Sequence, residues 1–307
     1  MASQIIILGS VNTDLVIRGP RLPVPGETVI GGEFYQAHGG KGANQAVAAA
    51  RAAREEVTFI AAVGDDDFGR QAREQFARER LDCQFLKVVR KTPTGVALIV
   101  VDHKGENSIA VASGANNFLE PADIDAVPDE VFRSAKVFLT CLESPLDTVL
   151  RGLVRAKGFG LLTILNPAPA NPEICRGEML RYVDVITPNE GEAALLTGAG
   201  LSDPARPMAA VQKLQELGCG RAVITLGAEG CLVVENDLMS IPGYEVDAVD
   251  TTAAGDAFNG ALAVALAEGR SIVDAARWAT RAAAIAVTRP GAQPSLPSRA
   301  EIESFRG

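Results

Sequence analysis

Short, continuous apolar runs set between helical segments constrain the fold of this chain most strongly. The first is Ile5–Leu8, and similar runs recur at 57–63, 137–140, 161–165, 183–187 and 222–225. A strand that is apolar at every position is buried on both faces, as in a parallel sheet covered by helices. Helical patterns lie between or after the runs, at 41–53, 67–80, 145–157, 171–181, 205–218, 255–268 and 271–287. This alternation predicts an α/β fold with a mostly parallel central sheet.

Two stretches interrupt the alternation and predict a small inserted β-sheet. In the first, strand-like segments at 15–18 and 27–36 flank the proline-bearing turn at 22–26. In the second, segments 94–102 and 107–112 flank Lys104-Gly-Glu106, a hairpin signal. We expect a lid whose strands lie within about 12–37 and 94–113. Because no linker or repeat is present, residues 1–307 are predicted to form a single domain.

Charge and cysteine content exclude several classes of protein. The net charge of −9 argues against nucleic-acid or anionic-membrane binding as the main activity. No apolar run reaches the roughly 18 residues of a membrane span, and the N-terminus lacks signal-peptide features. Five scattered cysteines without C-x-x-C spacing indicate reduced thiols. A cytoplasmic protein that binds neither nucleic acid nor membrane is expected.

The segment Asp250-Thr-Thr-Ala-Ala-Gly-Asp256 is the strongest candidate for a ligand site, because its small residues lead into an apolar helical run. Small residues allow close approach of a ligand, and free N–H groups at a helix start favour an anion. Asp256 is then either a base beside a phosphate or a residue that stabilises the helix dipole. A Walker loop and a dinucleotide fingerprint are both absent. At the first strand, Asn12 and Asp14 either bind a ligand at the sheet edge or form an ordinary turn.

Several separated motifs together resemble those of the ribokinase-like (PfkB) sugar kinases, over nearly the whole length. The motifs are Gly9-Ser-Val-Asn-Thr-Asp14, Gly39-Gly-Lys-Gly-Ala-Asn44, Leu142-Glu-Ser-Pro145, Asn166-Pro-Ala-Pro169, Thr187-Pro-Asn-Glu-Gly-Glu192, Thr225-Leu-Gly-Ala-Glu-Gly230, the 250–256 loop and Ala286–Ser295. The family often has glycine where Ala253 stands, and alanine there is typical of its ribokinase subfamily. The resemblance implies a three-layer α/β/α sandwich with a β-sheet lid.

The resemblance also implies an activity, namely ATP-dependent phosphorylation of D-ribose at O5. Asp256 would be the general base, and the N–H groups of Ala253, Ala254 and Gly255 would form an anion hole. Besides Asp256, the implied sugar-binding residues are Asn12, Asp14, Gly40, Lys41, Asn44 and Glu143. The implied ATP-binding residues are Asn189, Thr225, Gly227, Gly230, Gly255 and Thr280.

The resemblance further implies two metal sites and a homodimer. Asn189 and Glu192 would organise Mg²⁺ and phosphates, although N-x-x-E spacing is equally typical of a helix cap. The implied K⁺ site consists of Asp250, Thr252, Ala286, Arg289, Gly291 and Ser295. Pairing of two lids would bury their exposed edges.

Three rival interpretations remain at this point. A sibling kinase acting on deoxyribose, fructose, a nucleoside such as adenosine or a keto-deoxy sugar acid would share the base and the anion hole. A non-catalytic sugar- or nucleotide-binding protein on the same fold would not need Asp256, Asn189 and Glu192 together. An NAD-linked oxidoreductase would need the fingerprint that the sequence lacks.

Overall fold

The computed structural model of the chain describes residues 3–198, 206–235 and 237–306. Within these ranges the strands are β1 (Ile5–Leu8), β2 (Asn12–Arg18), β3 (Glu33–Gly39), β4 (Val57–Gly64), β5 (Leu81–Asp82), β6 (Leu86–Val89), β7 (Gly95–Val101), β8 (Asn107–Ala112), β9 (Val137–Thr140), β10 (Leu162–Leu165), β11 (Val185–Ile186), β12 (Arg221–Thr225), β13 (Gly230–Val234) and β14 (Leu238–Pro242). The α-helices are α1 (Lys41–Ala52), α2 (Asp67–Arg78), α3 (Pro121–Asp125), α4 (Asp129–Ser134), α5 (Leu146–Gly158), α6 (Glu190–Thr197), α7 (Arg206–Glu216), α8 (Ala254–Ala267), α9 (Ile272–Ala286) and α10 (Arg299–Ser304).

The central sheet has the strand order β14-β13-β12-β11-β10-β9-β1-β4-β5, and β6 also pairs with β4. Neighbours from β12 through β4 are parallel, whereas β13 and β14 add an antiparallel edge. The predicted mostly parallel α/β fold is confirmed. From β1 the chain continues to β4 on one side and later to β9 on the other. The carboxyl end of β1 therefore lies at a switch point, where open α/β sheets bind ligands.

Two hydrophobic cores cover the two faces of this sheet. On β1, Ile5 and Ile7 belong to the core that contains α1, α8 and α9. Ile6 and Leu8 belong to the opposite core, which contains Val149 and Leu153 of α5 among others. Alternating residues of one strand thus enter different cores, and this explains why β1 must be apolar throughout. None of the helices in the described ranges is long and apolar enough to cross a lipid bilayer.

A second sheet, with the order β3-β2-β7-β8, stands apart from the central one. Strand β2 lies parallel to β7 and antiparallel to β3, and the hairpin β7–β8 turns at Gly105, whose φ is +83°. We call this sheet the lid. Its strands begin directly after β1 and shortly after β6, so its inner end lies at the same edge of the central sheet.

Several predicted element boundaries are wrong, each for a local reason. The strand expected at 27–36 begins at Glu33 because Gly31 adopts φ +94° and breaks the extended chain. The helix expected at 171–181 is instead two 3-10 helices, Pro172–Cys175 and Met179–Tyr182, with Gly177 between them. The residues at 241–249, just before the 250–256 loop, read as a strand in the sequence, but β14 already ends at Pro242.

Candidate active site

Asp256 lies on the first turn of α8, at the edge of the central sheet where β1 ends. Ala253 precedes the helix in the left-handed conformation, with φ +60° and ψ +11°. This conformation costs an L-residue about 1–2 kcal/mol, and it turns the chain sharply into the helix. Within the part of the chain that the structure describes, the N–H groups of Ala253 and Gly255 donate to no protein acceptor. They are therefore free to bind an anion beside Asp256.

The carboxylate of Asp256 is buried and is held by two neighbouring side chains of α1. Asn44 Nδ2 donates to one oxygen at 3.0 Å, and Gln45 Nε2 donates to the other at 3.1 Å. Burial raises the pKa of Asp256 above its ordinary value, while Lys41 and these two amides oppose the rise. Sequence analysis assigned Asn44 to the sugar. The structure directs its NH₂ group at the base, while its Oδ1 has no partner among the described residues, so its binding of the sugar stays a prediction.

Asn12 and Asp14 enter the site from the inner end of β2. Asn12 Oδ1 accepts a hydrogen bond of 2.9 Å from Asn116 Nδ2, and Asn116 also bonds the N–H and the C=O of Val11. Because its oxygen is engaged, Asn12 has its own NH₂ group left to donate to a ligand. A Cβ at Gly39 would lie 2.3 Å from the carboxylate oxygens of Asp14, so glycine at that position makes room for this side chain.

Glu143 follows β9 and reaches the same site. Its Oε2 accepts from Ser10 Oγ at 2.5 Å and from the N–H of Lys41 at 3.0 Å. Gly40, with φ +90°, packs so closely against the 10–12 backbone that a Cβ would lie 2.7 Å from Asn12 N. These contacts join the Gly9–Asp14 and Gly39–Asn44 motifs to Glu143, as the sequence analysis expected.

Three carboxylates and one ammonium group dominate the electrostatics of the site. Burial raises the pKa of Asp14 to about 7, with further contributions from the nearby charges of Glu143 and Asp256. Burial works against a charge on Lys41, but Asp256 and Glu143 outweigh it and raise the pKa of this lysine. A polar ligand that donates hydroxyl protons to carboxylates fits this arrangement. A cavity of about 630 Å³, whose lining includes Asn12, Asn116, Glu143 and Val111 of the lid, adjoins it.

Asn189 and Glu192 form a capping box at the start of α6. Each side chain accepts from the backbone N–H of the other, in both cases at 2.8 Å. This is the helix-cap alternative of the sequence analysis, although it occupies only one oxygen of Glu192. Burial raises the pKa of Glu192, and the charges of Lys41 and Asp256 also act on it. The pair therefore lies near the candidate base while serving as a cap.

The other predicted nucleotide residues lie mainly at the neighbouring strand ends. Thr225 pairs with Asn189 in an isolated parallel bridge at the end of β12. Gly227 and Gly230 adopt φ +57° and +96° in the turn that leads to β13. Thr280 is different, because it is buried in α9, where its hydroxyl donates to Ala276 O and lies 3.7 Å from Cys231 Sγ. Its role in binding ATP stays a prediction.

Two of the predicted cation residues, Thr252 and Gly291, contact Asp250. One carboxylate oxygen accepts from Thr252 N at 2.9 Å and the other from Gly291 N at 2.8 Å. The N–H groups of Val249 and Asp250 both bond Val287 O, which holds the 286–295 segment alongside the 250–256 loop. Ser295 Oγ bonds Ala292 O, and the Arg289 guanidinium forms an ion pair with Glu301. Both oxygens of Asp250 therefore already accept backbone hydrogen bonds, and the binding of K⁺ by this segment stays a prediction.

Four polar residues of the site were given no individual role by the sequence analysis. They are Ser10, Gln45, Asn116 and Asn166. Ser10 and Asn166 lie within motifs that were recognised, and Gln45 is a polar residue on the buried side of an alanine-rich helix. That placement is a usable sequence signal, because a buried amide needs partners.

Comparison with known proteins gives the family. The model of the pfkB family carbohydrate kinases matches residues 2–299. The chain belongs to this family. Ribokinase of Haemophilus influenzae is 42% identical over 306 residues, which cover 99% of both chains. Deoxyribokinase of Salmonella typhi is 35% identical, with 98% of this chain and 97% of that protein covered.

A solved structure extends the comparison to a bound state. The ribokinase of Arabidopsis thaliana, in complex with ribose and ATP, is 30% identical and superposes with a TM-score of 0.88. Coverage is 100% of each chain. The chain therefore has the three-layer fold and the separate small sheet of ribokinase-like enzymes, as the sequence motifs implied.

Proposed function

We propose that this chain is an ATP-dependent ribokinase that transfers the γ-phosphoryl group of ATP to O5 of D-ribose. One observation carries the proposal. A buried carboxylate, that of Asp256, lies beside backbone N–H groups at the start of α8 that have no protein acceptor. Beside it lies a pocket whose carboxylates and amides suit a polyhydroxylated ligand. Full-length relatives that are ribokinases support the choice of ribose.

In the proposed reaction the sugar lies between the lid and the end of β1. Asn12, Asp14 and Glu143 bind its hydroxyl groups, with Gly40 and Lys41 lining the same pocket. O5 lies against Asp256, which accepts the hydroxyl proton as O5 attacks the γ-phosphorus and the bond from that phosphorus to the β–γ bridging oxygen breaks. ADP leaves with that oxygen. The N–H groups of Ala253 and Gly255 stabilise the charge on the transferred group, and the N–H of Ala254 joins them by giving up its hydrogen bond of 3.3 Å to Thr251 O.

ATP is proposed to bind along the ends of β11 and β12. Asn189, Thr225, Gly227 and Gly230 line this path, and Gly255 meets the terminal phosphate. Mg²⁺, when bound, neutralises charge on the phosphates. Mg²⁺ usually retains several waters, and the described residues contain no cluster of three potential side-chain ligands. Glu192, whose second carboxylate oxygen is outside the capping box, is the residue that would orient such a hydrated ion.

A monovalent cation, K⁺, is proposed next to the anion hole. Asp250 and the backbone of the 286–295 segment would hold it, with Thr252, Ala286, Arg289, Gly291 and Ser295 contributing. The cation would supply positive charge behind the 253–255 loop. Equal rates in Na⁺ and K⁺ buffers would count against this part of the proposal.

The lid is proposed to close over the sugar and to pair with the lid of a second chain. Its outer part exposes large apolar side chains on both faces, including Phe34, Leu98 and Ile109. Closure excludes water that would otherwise hydrolyse ATP, and pairing buries those side chains. We further propose a cytoplasmic enzyme, because five free cysteines suit a reducing compartment.

The direct test is ADP release with ATP, Mg²⁺ and K⁺, in the presence of ribose, deoxyribose, fructose, adenosine or no acceptor. The proposal expects the largest kcat/KM with ribose and negligible release without acceptor. Preference for another acceptor would keep the kinase and overturn the choice of ribose. Absence of release with any acceptor would favour a binding protein.

Deoxyribose is the second candidate, because a deoxyribokinase is 35% identical over nearly the whole chain. The two sugars differ by one hydroxyl group. A site that hydrogen-bonds this group can reject the analogue without it by up to about 10⁴-fold. The ratio of kcat/KM for the two sugars therefore separates the candidates.

A further inference from the structure

Gln45 lies between the candidate base and the end of a neighbouring strand. Its Nε2 donates to Asp256 Oδ1 at 3.1 Å and to Asn166 Oδ1 at 3.0 Å, so both amide hydrogens are used. Gln45 is fully buried, with 0% of its surface exposed. It therefore contacts no ligand in the cavity, and any effect on the reaction must pass through Asp256.

The hydrogen bonds continue beyond Asn166 and return to α8. Asn166 Nδ2 donates to Thr187 O at 3.1 Å, and Thr187 Oγ1 donates to Asn259 Oδ1 at 2.6 Å. Asn259 Nδ2 donates to the carbonyl oxygen of Gly255 at 2.8 Å. The path thus ends on the residue before Asp256. We call Gln45, Asn166, Thr187 and Asn259 the buried circuit.

Each member of the buried circuit comes from a different part of the fold, and Asn259 is the member on α8. Asn166 follows β10 and Thr187 follows β11, while Gln45 is on α1. Close contact of α1 with α8 is possible because Gly260 has no side chain. A Cβ there would lie 2.6 Å from Ala48 Cβ and 2.7 Å from Gln45 O. The circuit therefore ties α8 to two strand ends and to α1.

We propose that Gln45 is a positioning residue for Asp256. The buried circuit holds the base and the Gly255 peptide group at a fixed distance and orientation relative to each other. The proposal rests on the proposed role of Asp256 as base. Asn44 and Gln45 each occupy one carboxylate oxygen, so the plane of the carboxylate is set before the sugar binds. Preorganisation of this kind matters because a displacement of about 1 Å can cost about a hundredfold in rate.

The pH dependence of kcat/KM distinguishes a positioning role of Gln45 from a packing role, because loss of packing alone would not change the pKa of Asp256. The titratable groups facing Asp256 are Lys41 on α1, Asp14 on β2, Cys141 and Glu143 after β9, and Glu192 on α6. The bond donated by Gln45 favours the charged carboxylate and lowers its pKa. Loss of this donor should therefore move the acid limb of kcat/KM for the sugar to higher pH.

The experiment compares Gln45→Met, which keeps the volume but removes the donor, with Gln212→Met on the exposed surface of α7 as a control. Asp256→Asn is measured in parallel. For Gln45→Met we expect kcat to fall about a hundredfold, KM for ATP to stay within about threefold, and the acid limb to move up by about one pH unit. Gln212→Met should match the parent chain. If Gln45→Met does not fold, Gln45→Asn, which retracts the amide by one methylene, should show the same shift.

The outcomes separate this inference from the function on which it rests. An inactive Asp256→Asn variant together with an unchanged rate and limb in Gln45→Met overturns the positioning role alone. A lower rate with an unmoved acid limb indicates a packing role and overturns it too. Near-normal turnover by Asp256→Asn overturns the base assignment, and the positioning proposal with it.

Discussion

At Asp256, two opposing effects decide how well the carboxylate can accept a proton. Burial favours the protonated form, while Lys41, Asn44 and Gln45 favour the ionised form. A base must be ionised before the reaction and yet basic enough to take a proton. Burial acts toward the second requirement, and Lys41 with the two amides acts toward the first. It also makes the rate sensitive to residues that never touch the sugar.

Gly255 and Gly260 lie on the same helix and should respond to alanine in opposite ways. A Cβ at Gly255 would meet no atom of another element within 4 Å, so packing does not require glycine there. We expect Gly255→Ala to keep its melting temperature but to lose about a hundredfold in kcat, because the methyl group crowds the transferred phosphoryl group.

Gly260→Ala is the matched control, because its Cβ would overlap α1. It should lose about 1–3 kcal/mol of stability through overpacking. Thermal unfolding of both variants measures the loss of stability, and ADP release measures the loss of turnover. Normal turnover by Gly255→Ala would place the phosphoryl group elsewhere.

Asp14 should make folding stability depend on pH. Its pKa in the folded protein is about 7, against an ordinary 3.8, chiefly because of burial. The folded state therefore keeps a proton that the unfolded chain loses near pH 4. Its contribution to stability is fully present below that pH and is lost as the pH rises through 7, by about 4 kcal/mol in total.

Urea unfolding of the sugar-free protein from pH 5 to 8 measures this effect. The free energy of unfolding should fall across that range, and it should fall less in Asp14→Asn. Asp256 and Glu192 also have raised pKa values, but both are present in the variant and in the parent chain. Parallel curves for the two proteins would contradict the assignment to Asp14.

At the scale of elements, the lid is anchored where β7 begins. Thr94 Oγ1 accepts from Gly64 N at 2.9 Å and donates to Asp66 Oδ1 at 2.6 Å, and Thr94 N donates to Asp66 Oδ2 at 2.8 Å. Asp66 is also the N-cap of α2. The end of β4, the start of α2 and the lid are therefore held together at one buried point.

Thr94→Val removes the hydroxyl and keeps the shape of the side chain. Since Gly64 N–H then has no partner in a buried site, we expect a loss of about 1–3 kcal/mol of stability. The KM for ribose should rise because the lid is less well placed. Thr92→Val, two residues earlier at a partly exposed position, is the control for urea unfolding. Equal stability of the two variants would show that Thr94 is not an anchor.

At the scale of the whole molecule, the exposed lid predicts a homodimer. Phe34 and Leu98 are 65% and 56% exposed on one lid face, and Ile109 is 54% exposed on the other. We expect sedimentation velocity to give twice the mass of one chain. Phe34→Arg with Leu98→Arg, or Ile109→Arg, should shift the protein to monomer. A monomeric parent chain at micromolar concentration would contradict this prediction.

The sequence was most informative where a structural signal is local. Apolar runs identified the buried parallel strands. Small residues before an apolar helix indicated a ligand site at the 250–256 loop, and the family resemblance implied that Asp256 is its base. The antiparallel strand β13 was missed although it is largely buried, since it follows β12 after a turn of only a few residues and not after a helix. Only the end of β14 was expected, because its first residues are exposed and carry little periodicity. Gly31 delays the start of β3, and Gly177 separates two 3-10 helices where hydropathy alone would predict continuous elements.

The buried circuit was not predictable, because it depends on where strand ends and helices meet. Gln45 and Asp256 are 211 residues apart, and their contact requires the close crossing of α1 and α8 at Gly260. Sequence patterns show that Gln45 is a polar residue on a buried face, but they do not identify its partner. The capping box of Asn189 and Glu192, in contrast, was predictable, because both residues belong to one short motif and contact each other directly.

The measurement that tests this account most directly is the turnover of Asp256→Asn with ribose, followed by ADP release. Circular dichroism and melting temperature should first show that the variant is folded. We predict a loss of about a thousandfold or more in kcat, because asparagine cannot accept the proton of O5. Turnover within about tenfold of the parent chain would contradict the assignment of Asp256 as the base.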